Sequence, residues 1–320
     1  MTEPETRKIG FLAIPQFSML SFVAAMEPLR AANRLSEQPL YEWHIFSQDN
    51  QPVAASNGLP ISPDRRFDET SDIDLMIVVA GIGTTVIRDK KLFEWLRQLS
   101  RRGVALGATS TGSLLLARAR LLSKHRCTIH WENKESFEEE FPELNMTGEL
   151  YEIDGNIMTC SGGLASLDMM CHKIALEHGA DLAMGCAEQF IHPQIRPAND
   201  KQRMELQFRH NTNHPRLLKV IQLMQNHTEE VLNLTEIGEK VGLSTRQMER
   251  LFRTHLRTTP NAFYMQLRLE RGKHLLLQST MSITQIATAC GFNSTSYFTR
   301  CYTKGFGLTP REQRQKREQA

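Results

Sequence analysis

The chain has 320 residues, enough for two domains with substantial cores, and its net charge of +2 conceals an uneven distribution. Residues 201–320 hold 19 Lys and Arg against 9 Asp and Glu, so the first 200 residues hold the remaining 19 and 27. A basic C-terminal part joined to an acidic N-terminal part fits a phosphate-binding module attached to something else, although charge alone also fits a membrane surface.

The composition argues against a membrane, secreted or metal-binding protein. No apolar run approaches the roughly 20 residues of a membrane span, and the N-terminus MTEPETRKIG lacks the apolar core of a signal peptide. The six cysteines form no CxxC pair and are typical of reduced thiols in a cytoplasmic protein. No cluster of metal ligands is visible, so we predict neither a metal nor a cofactor.

Strands and helices alternate in the first part of the chain. Near-continuous apolar runs such as IDLMIVVA are typical of strands buried on both faces. The alternation therefore predicts an α/β domain, a parallel sheet with helices on both faces, over residues 1–191. The predicted strands are Lys8–Pro15, Tyr41–Ser47, Ile73–Ala80, Val104–Ala108 and the hairpin Leu150–Ile153 with Ile157–Cys160; the predicted helices are Phe17–Leu35, Lys91–Arg101, Gly112–Ala119 and Leu164–His178.

The junction Ala105–Leu116, ALGATSTGSLLL, places a small-x-Ser-x-Gly turn between a strand and a helix. Such a turn can hold one side chain strained and exposed above the sheet edge. One interpretation makes Ser110 a nucleophile with His130 as its base, which would give a serine-dependent hydrolase or amidase. The other is a tight turn whose small residues allow close packing, and no acid is evidently placed for the histidine.

A region rich in Pro, Asn and charge, residues 192–215, is the predicted linker to a C-terminal domain over residues 216–316. That domain contains one pattern twice, in Leu234–Pro260 and in Ser282–Pro310. Matched positions lie 49 residues apart before the glycine of each copy and 50 apart after it, for example Gly242 with Gly291. A one-residue shift inside a turn predicts two related helix-turn-helix units, over 234–255 and 283–306.

Each copy of the pattern predicts a short helix, a glycine turn and a second helix with an apolar inward face and a polar outward face. We expect Thr235 and Ser244 to cap the helices of the first unit, and Asn293 or Ser294 to cap the second helix of the second. The outward positions of both second helices are polar and can enter a major groove of DNA. The predicted DNA-binding residues are Ser244, Thr245, Arg246, Gln247, Arg250, Ser294, Thr295, Ser296, Tyr297 and Arg300.

Within that set, Arg246 and Gln247 are the expected readers of base edges in the first unit. Arg250 and Arg300 are expected on phosphates, and Ser296 and Tyr297 on bases or backbone. The alternative is a pair of helical hairpins whose polar faces are simply solvated, but that alternative does not explain why both turns share one pattern.

The stretch Ser282–Arg314, with IATACGFNSTSYFTRCYTKGFGLTPREQR, resembles the signature of AraC-type transcription regulators. Arg268-Leu269 with Leu275-Leu276 resembles the connecting helix of that family, which usually has Ala where this chain has Gly272. The resemblance implies an all-α DNA-binding module with two helix-turn-helix units on one rigid helix.

Three N-terminal stretches resemble the sensor half of GlxA-type members of the AraC family: Phe17–Leu35, Leu114–Glu132 and Thr159–Met170. That half is similar to class I glutamine amidotransferases and PfpI-like proteins, with a flavodoxin-like fold. In enzymes of that fold the elbow residue is a cysteine and an acid comes from the first helix. Ser110 and Ser21 stand at those positions here, and His130 alone is retained, so the resemblance implies a pocket without catalysis rather than an enzyme.

The resemblance further implies an activator of a catabolic operon that responds to an amino-acid-like or quaternary-amine metabolite. The expected partners are double-stranded DNA, this small effector, RNA polymerase and a second copy of the chain. The expected effector-binding residues are Ser21, Glu27, Gly81, Ile82, Gly83, Ser110, Thr111, His130 and Trp131. A quaternary amine would call for an aromatic cage, with Trp43, Trp131 and Tyr151 as candidates, although a place in the core is the simpler explanation for each.

Overall fold

A computed structural model describes residues 6–69 and 72–318, with side chains described as far as residue 315. The chain forms two compact units, Met1–Gln202 and Arg203–Ala320. Among the described residues, no helix is both long and apolar enough to cross a bilayer.

The first unit is built on a seven-stranded sheet in the order β10-β11-β7-β6-β1-β2-β5. Every neighbouring pair is parallel except β10 with β11, which form an antiparallel hairpin. Two small pairs, β3 with β4 and β8 with β9, lie outside it. The strands are β1 Arg7–Ala13, β2 Tyr41–Ser47, β3 Val53–Ala54, β4 Pro60–Ile61, β5 Arg65–Arg66, β6 Leu75–Val79, β7 Ala105–Thr109, β8 Arg126–Cys127, β9 Asn145–Met146, β10 Tyr151–Asp154 and β11 Ile157–Cys160.

Helices cover both faces of this sheet, as predicted. Side chains alternate along a strand, so Leu75, Ile77 and Val79 of β6 join one core while Met76 and Val78 join the other. Helices α1, α5 and α6 line the first core, and α2, α3 and α4 line the second. The helices are α1 Met19–Ser36, α2 Lys90–Arg101, α3 Gly112–Arg118, α4 Lys134–Glu140, α5 Ala165–His178 and α6 Ala180–Gln189.

Several elements of the first unit lack a sequence prediction. Helix α6 follows α5 after Gly179 alone, and α4 and the two-residue strands are too short to show a clear period. The segment following α6 also differs from a free linker, because Leu150 donates its amide to Ala198 at 2.9 Å and Glu149 pairs with Lys201. The first half of residues 192–215 therefore packs on the first unit.

The described part of the second unit, residues 203–318, contains helices and no strand, and each helix-turn-helix unit has its own apolar core. Met248 and Phe252 are buried in the first core, and Phe298 and Tyr302 in the second. The long helix α11 supplies buried side chains to both, which confirms the predicted connecting helix. The helices are α7 Leu206–Arg209, α8 Pro215–Asn226, α9 Leu234–Val241, α10 Thr245–Leu256, α11 Pro260–Gln278, α12 Ile283–Ala289, α13 Thr295–Phe306 and α14 Pro310–Glu318.

The caps of these helices correct one prediction. Asn233, rather than Thr235, caps α9: its side chain accepts from the amides of residues 235 and 236, and the Glu236 carboxylate accepts from the Asn233 amide at 2.8 Å. This reciprocal arrangement satisfies more orphan donors than a lone threonine would. Ser244 caps α10, and Ser294 rather than Asn293 caps α13. Gly242 ends α9 with a φ of 69°, as expected.

Gly272 in α11 has a packing reason. A Cβ at this position would lie 2.9 Å from Cε2 and 3.0 Å from Cζ of Phe298, which is fully buried. Gly272→Ala gains about 1 kcal/mol of helix propensity, but overpacking a well-filled core costs about 1–3 kcal/mol. We expect a net loss of about 1 kcal/mol in the free energy of unfolding, measured by urea denaturation with far-UV circular dichroism.

Gly305→Ala is the matched control, because its Cβ would meet Leu269 Cδ1 at 3.4 Å, an ordinary contact. This substitution in α13 should leave the stability unchanged or raise it. Equal stabilisation by both alanines would show that Phe298 does not require the glycine.

Candidate effector site and nucleic-acid interface

The turn between β7 and α3 has the strained backbone predicted for it, but the side chain of Ser110 is buried rather than exposed as predicted. Ser110 adopts a φ of 56°, a region that non-glycine residues rarely occupy, and its side chain is almost fully buried. Its amide donates to the carbonyl of Cys160, at the end of β11, at 2.9 Å. Such a conformation costs on the order of 1–3 kcal/mol and persists only where its surroundings enforce it.

The loop that follows β11 brings Ser21 and Ser110 together. The Ser21 hydroxyl, in the first turn of α1, accepts from the Gly163 amide at 2.7 Å. A Cβ on Gly162 would lie 2.7 Å from Ser110 Cβ and 3.1 Å from Ser21 Oγ. Two hydroxyls and a bare backbone thus meet at the carboxyl edge of the sheet, where open α/β sheets take ligands.

The loop after β6 borders the same point. The carbonyl of Gly81 accepts from the Thr111 hydroxyl at 2.7 Å and from the Thr84 hydroxyl at 2.8 Å. Ile82 beside it is 62% exposed, so it presents an apolar side chain to solvent. Gly83, with a φ of 82°, opens the 3₁₀ turn over residues 84–86.

Arg118 anchors this loop and was missed in the sequence. Its guanidinium donates to the carbonyls of Thr84, Thr85 and Ile87 at 2.9–3.0 Å. It also forms two bonds with Glu140 of α4 at 2.8 and 2.9 Å, while remaining 5% exposed. The available signal in the sequence was an arginine directly after the apolar run LLLA. An arginine buried together with such a run needs hydrogen-bond acceptors inside the protein.

His130 is oriented by its own backbone. Its Nδ1 accepts from the Glu132 amide at 3.4 Å, which places the histidine at the start of the 3₁₀ turn Trp131–Asn133. In a catalytic triad the histidine Nδ1–H donates to an acid, so that Nε2 can take the nucleophile's proton. The Glu132 carboxylate lies 3.9 Å from the same Nδ1, beyond hydrogen-bond distance.

Glu27 and the three aromatic candidates are not gathered at the elbow. Glu27 lies six residues beyond Ser21, about 9 Å further along the helix axis, and pairs with Arg30 at 2.6 Å. Trp43 in β2 and Tyr151 in β10 are five strand spacings apart, about 24 Å. Tyr151 is buried and donates to the carbonyl of Arg196. One cage containing both Trp43 and Tyr151 is therefore excluded. The third candidate, Trp131, has its ring centroid 5.5 Å from that of His130.

The cysteine nearest the elbow is not a nucleophile. Cys160 is fully buried, and its sulfur lies 3.3 Å from the Ser166 hydroxyl of α5. Burial raises the pKa of this thiol, so the thiolate is not formed at neutral pH.

On the second unit, the outward side chains of α10 include exposed arginines and a glutamine that caps the helix. Arg246 and Arg250 are exposed. Gln247 is exposed too, but its Oε1 accepts from the Ser244 amide at 2.8 Å in a capping box. Bidentate recognition of adenine needs both the oxygen and the nitrogen of the amide, so Gln247 cannot provide it in this conformation.

A concavity of about 330 Å³ lies beside Arg250 and extends to the start of α8. His214 and Arg216 line it, and both were missed in the sequence because they precede the repeated pattern. Arg216 is a further candidate for a phosphate contact, since a cation and a helix start face the same concavity as Arg250.

On α13, the predicted contacts are partly occupied within the protein. The Thr295 hydroxyl lies 3.4 Å from that of Thr284, and the ring of Tyr297 has the Arg300 guanidinium 5.3 Å from its centroid. Ser296 and Arg300 are exposed, and Tyr297 is 42% exposed. The predicted contacts on α13 therefore comprise one cation and several neutral polar groups.

A parallel α/β unit with a strained strand-to-helix elbow, followed by two helix-turn-helix units, defines the class of a two-domain transcription regulator. A family model described as the DJ-1/PfpI family matches residues 7–176, and one described as a helix-turn-helix domain matches residues 237–316.

Known proteins agree with this class. The chain is 44% identical over 304 residues to the HTH-type transcriptional regulator CdhR of Pseudomonas aeruginosa, covering 95% of this chain and 90% of that one. It is 37% identical over 305 residues to the regulator GlxA of Rhizobium meliloti, covering 95% and 94%. A solved AraC family regulator from Pseudomonas putida aligns with a TM-score of 0.54 and 26% identity, over 57% of this chain and 99% of that one. The chain belongs to the GlxA-type AraC family of transcription regulators.

The cysteines provide a test of the inert elbow. Burial raises the pKa of Cys127 and of Cys171 to about 12 and that of Cys186 to about 11, whereas Cys301 is half-buried. With Ellman's reagent at a pH of about 8, thiols with raised pKa values carry almost no reactive thiolate. We expect one fast-reacting thiol in the native chain and all six after denaturation.

Cys301→Ser should remove the fast phase completely. A fast phase that survives this substitution and is lost in Cys160→Ser would place a reactive thiol beside Ser110, contrary to the geometry.

Alanine substitutions of Arg246 and of Gln247 should have different effects. Arg246→Ala should relax base preference at one operator position by about 1–3 kcal/mol. Gln247→Ala should chiefly lower the stability of α10, by on the order of 1 kcal/mol, because it removes a cap. Competition binding with single-base variants of the operator, together with urea denaturation, measures both.

Arg250→Ala is the comparison for a phosphate contact. It should weaken binding to all sequences alike and reduce the slope of affinity against salt by roughly one. A change of base preference in Gln247→Ala without loss of stability would contradict the capping role.

Proposed function

We propose that this regulator activates a catabolic operon when a small amino-acid-like or quaternary-amine metabolite binds at the carboxyl edge of the sheet in its first unit. The proposed pocket is formed by Ser21, Ser110 and Thr111 with the loop after β6. It acts in the cytoplasm as a homodimer and contacts RNA polymerase, in line with the family resemblance.

The observation that carries the proposal is the elbow at Ser110. The strained backbone that presents a reactive side chain in enzymes of this fold is kept, while the chemical groups around it are replaced. Ser21 supplies a hydroxyl that is already bonded to a backbone amide. Serines stand where enzymes of this fold have a cysteine and an acid, and a serine hydroxyl is a much weaker nucleophile than a thiolate, which supports a binding site that does not turn over its ligand.

A connected set of contacts leads from this pocket to the end of the first unit. Gly162 touches Ser110, and α5 begins at Ala165, directly after the glycine loop. Asp168, in the first turn of α5, is fully buried and accepts from Arg196 through Nε, Nη2 and the backbone amide at 2.6–2.9 Å. It also bonds to His192 Nε2 at 2.8 Å.

Residues 192–202, which include His192 and Arg196, form a segment that we call the strap. The strap ends on the segment that leads to His130. The Gln202 side-chain amide donates to the carbonyls of Ile129 and Glu149 at 3.0 and 2.8 Å. The chain leaves the first unit immediately afterwards. Effector binding that moves the glycine loop would thus bias the strap, provided that the effector binds the two strap positions with different affinity.

The test is a thermal-shift screen of the full chain against amino acids, betaines and carnitine, because a bound ligand raises the apparent stability by mass action. A hit should change the affinity for operator DNA and should be recovered chemically unchanged. Ser110→Ala should retain this response, while Ser110→Leu, which fills the pocket, should abolish it. Conversion of the hit by the wild type, lost in Ser110→Ala, would establish a hydrolase instead.

The strap gives a separate prediction. Arg196→Lys keeps the charge beside buried Asp168 but removes the forked pair of hydrogen bonds. We expect the effector to bind with nearly unchanged affinity, whereas the coupling to DNA affinity, typically about 1–3 kcal/mol, falls by more than half.

Lys173→Met is the matched control, since Lys173 forms an ion pair with Glu177 at 2.7 Å on the same helix α5. It should leave the coupling intact. Equal coupling in Arg196→Lys and in the control would exclude the strap as the route.

A further inference from the structure

The first helix of the second helix-turn-helix unit ends on carbonyl groups that need donors from elsewhere. The last carbonyls of any helix lack partners within it. Arg268 of α11 supplies two of the donors: its Nε donates to the carbonyl of Cys290 at 2.8 Å and its Nη2 to that of Gly291 at 2.6 Å. Arg271, one turn further along α11, donates from Nη1 to the carbonyl of Ala289 at 2.6 Å.

Arg271 also reaches the segment that precedes the first helix-turn-helix unit. The same Nη1 donates to the Thr228 hydroxyl at 2.7 Å, and Nη2 lies 4.0 Å from the Glu229 carboxylate. Residues 228–231 lie in the connection between α8 and α9. One guanidinium therefore bonds both to the second unit and to the segment that leads into the first.

The turn glycines of the two repeats show that this connection is specific. Gly242 and Gly291 match in the repeat and both have a positive φ, but a Cβ on Gly242 would meet nothing within 4 Å. A Cβ on Gly291 would lie 2.7 Å from the carbonyl oxygens of Thr228 and Glu229 and 2.5 Å from Val231 Cγ2. The turn of the second unit is thus pressed against the backbone that precedes the first.

Arg268 also packs against the second reading helix. Its guanidinium lies over the ring of Phe292 at 4.2 Å, and that ring meets Phe298 of α13 edge-on at 5.2 Å. The two carbonyl acceptors and the two buried rings hold the charged guanidinium in a fixed plane. A lysine has no planar group and cannot reproduce this arrangement.

We propose that Arg268 and Arg271, with Thr228 and Gly291, form a joint that fixes the distance and angle between the two reading helices, so that the regulator selects one spacing of its two DNA half-sites. The arginines act as positioning residues and do not need to touch DNA. Once the first reading helix is bound, a rigid joint holds the second at a high effective concentration near a half-site at one spacing. Half-sites at other spacings are out of its reach. The proposal rests on the reading of DNA by both units.

The test uses the full chain and a library of randomised DNA duplexes long enough for two half-sites. The wild type should enrich two half-sites at one spacing of about 10–10.5 base pairs. Arg268→Met and Arg271→Met should enrich the same half-site sequences at several spacings. With the wild-type operator, a single inserted base pair should reduce wild-type affinity by about tenfold or more, and that of the variants by less than about threefold.

Lys273→Met is the matched control, because it removes one charge from the same helix and faces Phe306, at 5.1 Å, rather than the joint. It should keep the wild-type spacing. Arg268→Lys keeps the charge without the fork and should give an intermediate spread, which also covers the case in which Arg268→Met fails to fold.

The outcomes are distinguishable. In one outcome, all the arginine variants enrich a single sharp spacing and lose affinity equally for every spacing. This result overturns the proposal that the joint sets the spacing, while DNA reading by both helices stands. A wild type that enriches no paired motif rejects DNA reading by both units, and the joint with it.

Discussion

The hydrogen bond from the Ser110 amide to the Cys160 carbonyl, made at a positive φ, is the constraint on which the first unit depends. It ties the end of β7 to the end of β11 and forces the chain to turn sharply into α3. Because the turn is tight, only a bare backbone can face it, and Gly162 fills that position. The strained conformation of Ser110 is thus held in place by the segments that surround it.

Arginines satisfy stranded backbone carbonyls in both units. Arg118 bonds to three carbonyls of the loop over residues 84–87, and Arg268 and Arg271 bond to three carbonyls at the end of α12. A guanidinium presents several donors in a rigid plane, so it can hold irregular backbone that regular secondary structure leaves unpaired. In the first unit the segment held in this way borders the Ser110 turn, and in the second it is the turn that leads to α13. The positions of both segments therefore depend on arginines from other helices.

Much of the fold follows from periodicity. The apolar strands β1 and β6 had to be buried on both faces, because neither contains a polar face to expose, and that requires helices on two sides of a parallel sheet. The repeat at 49 and 50 residues identified both helix-turn-helix units, since Gly242 and Gly291 interrupt the apolar pattern at matched positions. The cap at Asn233 was misassigned because Thr235 is also a good cap, and only the reciprocal bond to Glu236 distinguishes them. Similarly, the side-chain amide of Gln247 has two possible uses, and the sequence cannot show that the cap takes its oxygen.

The sequence by itself determined the class of the protein, the position of the elbow and the two reading helices, because each depends on local pattern: strand alternation, helix period and glycine placement. The tertiary structure alone decided which residues meet. Trp43 and Tyr151 are separated by the strand order, Glu27 is carried away from Ser21 by the rise of α1, and Gly291 is enclosed where Gly242 is open. These differences arise from contacts between segments far apart in the chain, and no local preference of a residue records which distant backbone will be packed against it.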